Sequence, residues 1–202
     1  MDHQTDTFAA FAGVELLAHG PLAIVAAAAR QKAQQGGCDR VVVYRDETGR
    51  VVEMDFSKPL EEILAAVEPC DAPPTDSGEG DAQKSPGPGR PKLGVVAREV
   101  TLLPAHWDWL ASQSGGASAV LRRLVVKAMR ENRQADQERA VREAAHRFLW
   151  DMAGNLPGFE EASRQFYRND VEQMRQIMGS WPAGVRTYAE QFLTRLEAVK
   201  QI

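Results

Sequence analysis

The sequence predicts an α+β fold, mainly helical, built from successive modules. A small α/β domain over residues 1–69 leads. A disordered linker over 70–89 follows, then a strand–helix–helix segment over 90–133 and a helical domain over 134–202. Three observations carry this prediction. Arg40–Arg45 (RVVVYR) and Arg50–Phe56 (RVVEMDF) are β-branched runs flanking a glycine turn, the pattern of a hairpin. Cys70–Gly89 holds four prolines, four glycines and four acids with no large apolar side chain, too little to offset chain entropy. Beyond Gln134 the apolar residues recur at helical spacing, between glycine and proline stops.

Taken in order, Thr7–Phe11 reads as a first strand. Pro21–Gln35 is an alanine-rich helix with Pro21 in its first turn and Gly36-Gly37 beyond its end. The hairpin turns at Asp46-Glu47-Thr48-Gly49, where glycine supplies the positive φ. Ser57 is placed to cap a helix from Pro59 to Val67. In the tail, helices are expected over Gln134–Met152 and Phe159–Tyr167. A third begins at a cap on Asn169 or Asp170 and ends near Gly179. A fourth runs from Pro182 to about Val199.

The chain's formal charge of −4 hides an uneven distribution. Residues 90–134 carry eight basic and three acidic residues, a net charge of +5, and every other segment is acidic overall. Local positive charge is what a polyanion feels. No run approaches the roughly 18 apolar residues a membrane helix needs, so no membrane partner is expected. Cys38 and Cys70 form no C-x-x-C pair, and no signal peptide is recognisable, which points to the cytoplasm.

The basic block has a distinctive order. The strand-like Val95–Leu102 leads into Pro104 and a short helix carrying Trp109-Leu110. Gly115-Gly116 makes a turn, and Ser118 is expected to cap a second helix. There Leu121, Leu124, Val125 and Ala128 share one face, with Arg122, Lys127 and Arg130 largely off it. Strand, helix, glycine turn and helix in this order resemble the ribbon-helix-helix family of bacterial DNA-binding proteins. The resemblance implies a homodimer whose paired strands enter the major groove of double-stranded DNA. It also implies a phosphate at the N-terminus of the second helix, near Ser118.

The nucleic-acid-binding residues implied are Arg90, Lys92, Arg98, Thr101, Ser118 and Arg122. The strand departs from the family pattern. Leu102 and Leu103 are adjacent before Pro104, so the strand is one residue short: with Val100 and Leu102 facing the core, Thr101 can read a base edge and Glu99 can only accept from cytosine, and with the faces reversed Val100 and Leu102 point at DNA beside Arg98. Gly89-Arg90-Pro91 also resembles the core of AT-hook motifs, although a basic arm feeding the strand accounts for the same residues.

Over its whole length the chain resembles a bacterial domain-of-unknown-function family. The segments that carry this are GRPKLGVVAREVTLLP, GGASAVLRRLV, NLPGFEEASRQFYRND and SWPAGVR. This resemblance implies a shared architecture and no particular activity.

No catalytic, cofactor or metal motif appears. His3, His19, His106 and His146 show no ligand spacing, and there is no G-x-G-x-x-G or G-x-S-x-G. Glu160-Glu161 reads as a helix first turn, where the macrodipole favours acids. The aromatics Phe148, Trp150, Phe159, Phe166, Tyr167, Trp181 and Phe192 read as helix–helix core. The expectation is a non-enzymatic, DNA-binding, regulator-like dimer with no identifiable small-molecule ligand. The alternative is a protein-interaction or dimerisation module that leaves DNA alone.

Overall fold

A computed structural model describes residues 6–36, 40–67 and 98–201. The chain forms an α+β structure, mainly helical, with one antiparallel four-stranded sheet. It divides into two compact units: residues 1–72 together with 133–202, and residues 73–132. The linker expected over 70–89 lies outside the described residues.

In the first unit, β1 (Thr7–Ala12), β2 (Glu15–Pro21), β3 (Val41–Arg45) and β4 (Arg50–Val52) are ordered β2-β1-β3-β4. Strand alternation sends β1 to two different cores. Phe8 and Ala10, with Val43, pack against Val25 and Ala29 of α1 (Leu22–Gln35). Ala9 and Phe11, with Val42 and Tyr44, join the larger core formed by the helical tail. The central strands are thus buried on both faces, and β1 is apolar and buried from Phe8 to Ala12.

Four helices make up the tail: α5 (Arg133–Ala153), α6 (Phe159–Arg168), α7 (Val171–Met178) and α8 (Ala183–Lys200). Their starts and stops follow the local chemistry. Gly158 and Asn169 adopt left-handed φ at the two ends of α6. The Asp170 carboxylate accepts from the Gln173 N–H and caps α7. Phe148 on α5 and Tyr188 and Phe192 on α8 meet Phe11 and Tyr44 from the sheet in edge-on and tilted contacts, with centroids 4.6 to 5.9 Å apart. The boundaries drawn at 1–69 and 134–202 therefore divide one core: the sheet face that α1 leaves open is covered by α5 and α8. Gly49, at φ 63°, sits where a Cβ would collide with the Ala144 carbonyl of α5, so glycine is required by both backbone and packing.

Two local expectations need correction. β2 was not expected; it forms because Ala12-Gly13-Val14-Glu15 folds back, with Gly13 at φ 58°, and pairs Ala12 with Glu15. Ser57 does not cap α2 (Leu60–Ala66); Pro59 occupies that position. Ser57 instead donates its hydroxyl and N–H to Asp55, at 2.6 and 3.1 Å, and these bonds hold the Asp55 carboxyl below its ordinary pKa.

The second unit contains α3 (Pro104–Ser112) and α4 (Gly116–Glu131). Pro104 opens α3, where its missing N–H costs nothing. The turn between the helices uses Gly115 at φ 94° and Gly116 at φ 77°. Of the strand expected over Val95–Leu102, residues 95–97 lie outside the described residues, and 98–102 form no β-ladder. A ladder needs a second backbone, and among the described residues none lies alongside.

Candidate functional site

Three places in the described residues gather chemistry. The first is the segment that the sequence singles out. Arg90 and Lys92 lie outside the described residues. Arg98 and Thr101 are exposed on the unpaired stretch before α3. Ser118 is not the N-cap of α4; Gly115 is, and Ser118 stands in the first helical turn. The two glycines turn the chain early, so helical hydrogen bonding begins at Gly116. Arg122 Nε donates to the Ser118 carbonyl at 3.2 Å, which brings these two residues together on one face of α4.

The apolar face expected on α4 is present, and most of it is exposed. Within α3 and α4 only Leu110 and Val120 are buried. Leu124, Val125, Val126 and Met129 are exposed, Met129 by 66%, as are Val100, Leu103, Trp107 and Trp109. Exposed apolar side chains in this number make the hairpin a candidate interaction surface.

The second place is the buried carboxylate of Asp46. It accepts from Thr7 Oγ1, from a ring nitrogen of His19 and from the Tyr188 hydroxyl, each at 2.6 Å. The Asp46 carbonyl accepts from Arg195 at 2.8 Å. Burial first, and then the Asp46 charge, push the Tyr188 hydroxyl far above its ordinary pKa. Nearby, burial and a hydrogen bond to Asp151 do the same to Tyr44. Every strong acceptor here is used, so the cluster fastens β1, β2 and the β3–β4 turn to α8.

The third place is an open groove of about 410 Å³ on α5 and α6. Glu138, Arg139, Arg142, Glu143, His146 and Arg147 line it from α5, and Tyr167 closes it from α6. Arg142 is the anchor. It bonds Glu138 at 2.7 Å, the Phe166 carbonyl at 3.1 Å and the Asn169 side chain. Glu138 is held below its ordinary pKa chiefly by its hydrogen bond from Arg142. Arg147 bonds the Thr48 carbonyl at 2.7 Å and Glu143 at 3.1 Å, and Arg139 pairs with Asp136. His146 Nδ1 and the Tyr167 hydroxyl lie 3.0 Å apart.

Of the tail aromatics, Phe148, Phe166, Trp181 and Phe192 are buried as expected of core. Trp150, 66% exposed, and Tyr167, 56% exposed, are not. Sequence reading missed this groove. Its signal was the spacing of Arg139, Arg142 and His146 at i, i+3 and i+7 on α5, which places them on one face. Glu160 and Glu161 do occupy the first turn of α6.

Among the described residues no cluster of His, Cys, Asp and Glu is arranged to hold a metal ion, and no helix is long and apolar enough to cross a membrane. A family model described as an uncharacterized protein conserved in bacteria (DUF2239) matches residues 7–193. The chain belongs to this family. No curated protein and no solved structure matches it.

Proposed function

From membership of that bacterial family as premise, we propose that the chain is a non-catalytic homodimer, assembled through α3–α4, that contacts double-stranded DNA with its basic segment. The observation that carries this reading is the disposition of α4. Leu124, Val125, Val126 and Met129 face solvent on a helix whose own hairpin buries only Leu110 and Val120. An apolar helix face is stable when another element covers it. An identical face on a second copy is self-complementary under two-fold symmetry.

Charge supports DNA as the ligand. Residues 90–134 carry a net +5 in a chain of net −4. The exposed Arg98 and Arg122, with Arg90 and Lys92 ahead of them, are the cations of this segment expected to meet phosphate, and Thr101 is the side chain expected to meet a base. The first turn of α4, at Ala117, Ser118 and Ala119, offers N–H groups to a phosphate.

The test is light scattering coupled to gel filtration, then fluorescence anisotropy with mixed-sequence duplex across a salt series. The expected result is a dimer that binds with a log K against log salt slope of roughly −4 to −7, two to four phosphate contacts per protomer. Val125→Asp should give monomer. A soluble, fully dimeric V125D protein would move the dimer contact elsewhere. A confirmed dimer with no binding at low salt would leave the second reading, a protein-interaction module, which the exposed Trp107 and Trp109 favour.

A further inference from the structure

The α5–α6 groove is a site of different character from the α3–α4 surface. Phe159, Trp150, His146 and Tyr167 form a continuous aromatic row, with successive ring centroids 5.8, 5.9 and 6.0 Å apart. Two members of the row, Trp150 and Tyr167, are more than half exposed, while the large aromatic rings beneath them are buried. The rings are tilted by 40 to 72° to one another, so a planar ligand stacks on one ring face at a time, and of the row His146 and Tyr167 line the groove.

Alongside it stand guanidinium groups already held in place. Arg147 is fixed by Glu143 and the Thr48 carbonyl, and Arg139 by Asp136. A guanidinium carries five N–H donors, so these bonds leave others for an incoming anion. Glu138 and Glu143 supply carboxylate acceptors in the same groove.

Charge balance narrows the ligand. Arg139, Arg142 and Arg147 are matched by Asp136, Glu138 and Glu143, so the groove exerts little net pull on a long polyanion. It suits a small molecule that combines a planar ring, amine donors for the carboxylates and one acidic group for the arginines. The volume of about 410 Å³ lies within the usual range for small-molecule sites, roughly 300–1,000 Å³.

We infer that the α5–α6 groove binds a nucleoside monophosphate, its base stacked on Tyr167 beside His146, its exocyclic amine on Glu138 or Glu143, and its phosphate on Arg139. This assignment is independent of DNA binding by the α3–α4 segment.

Titration calorimetry of the full chain with AMP tests it. The expected result is saturable binding that Tyr167→Ala weakens by about tenfold, the usual worth of one base–aromatic stack. Arg139→Ala should weaken it by about tenfold through the lost charge-assisted bond. Adenosine and inorganic phosphate, added separately, should each bind at least about tenfold more weakly than AMP. Both side chains are largely exposed, so unchanged melting temperatures are expected, and each variant checks the other should one fail to fold. No saturable binding at millimolar AMP would overturn the assignment. So would variants that bind like the parent, phosphate that binds as tightly as AMP, or a single-stranded oligonucleotide that binds more tightly than AMP.

Discussion

Phe148 and Val125 are both apolar residues on long helices, and the fold treats them in opposite ways. Phe148 on α5 is fully enclosed by Phe11, Tyr44, Tyr188 and Phe192. Val125 on α4 is 54% exposed, with Leu124, Val126 and Met129 exposed around it. One unit finishes its core within one chain. It does so by using both faces of a small sheet, with α1 on one side and α5 and α8 on the other. The other unit has a helical hairpin whose apolar content exceeds what two helices can cover. That exposed apolar surface is what the proposed dimer would cover.

Truncating the two residues should break or sharpen this contrast. Phe148→Ala removes a ring with four aromatic neighbours, and such core truncations cost about 3–5 kcal/mol. Val125→Ala acts on an exposed position and should change the stability of the chain at low concentration by less than about 0.5 kcal/mol. Denaturant melts of both variants check this. If V125A costs little at low protein concentration and clearly more at high concentration, the exposed face is an oligomer interface. A small cost at every concentration would mean that no second copy covers Val125.

The next effect is smaller and lies at the seam between sheet and tail. Asp46 accepts three hydrogen bonds, from Thr7, His19 and Tyr188. Asp46→Asn removes the charge and replaces one acceptor oxygen with a donor, facing hydroxyls that must then reorient. A lost bond to a buried charged group is worth about 1.5–3 kcal/mol. D46N should lower stability by about 2 kcal/mol and loosen the first unit without touching the α3–α4 hairpin. Hydrogen exchange that rises in β1, β2 and α8 alone would match this. Exchange rising in α4 as well would mean that the two units melt as one.

Much of the helical tail was legible, because its ends are written in local chemistry. Asp170 caps α7, Asn169 ends α6 with a left-handed turn, and Pro182 precedes α8. The hairpin of β3 and β4 was legible from its β-branched runs, although the return strand ends at Val52. β2 was not, because Glu15–Pro21 neither alternates cleanly nor lacks turn residues; its pairing with β1, which includes a register shift between Ala10 and Phe11, decides it. The single core was not legible either. Tyr188 lies 142 residues from the Asp46 carboxylate that it bonds, and no local pattern reaches that far. The α5–α6 groove was half visible. Its arginines and His146 share a helical face, but Tyr167 arrives from another helix, and its exposure is a tertiary fact.

The smallest effect is on binding alone, and it separates the charges of the hairpin from its apolar face. Arg122 is exposed on α4, and its Nε is tied to the Ser118 carbonyl one turn back. That bond holds the guanidinium beside the first turn of the helix, where N–H groups are free to meet an anion. Arg122→Ala should leave both folding and dimerisation unchanged, since it removes neither buried surface nor a buried polar partner. In a dimer it deletes two cations. At about 0.9 per phosphate contact, the salt slope should flatten by roughly 1.8, and binding should weaken alike on every duplex sequence. Thr101→Ala should do the reverse, holding the slope and narrowing the gap between preferred and random duplexes. Anisotropy across a salt series with two duplexes reads both effects. An R122A protein with an unchanged slope would remove this helix turn from the DNA contact, and the remaining charge on the segment would have to act through Arg98 and the basic residues ahead of it.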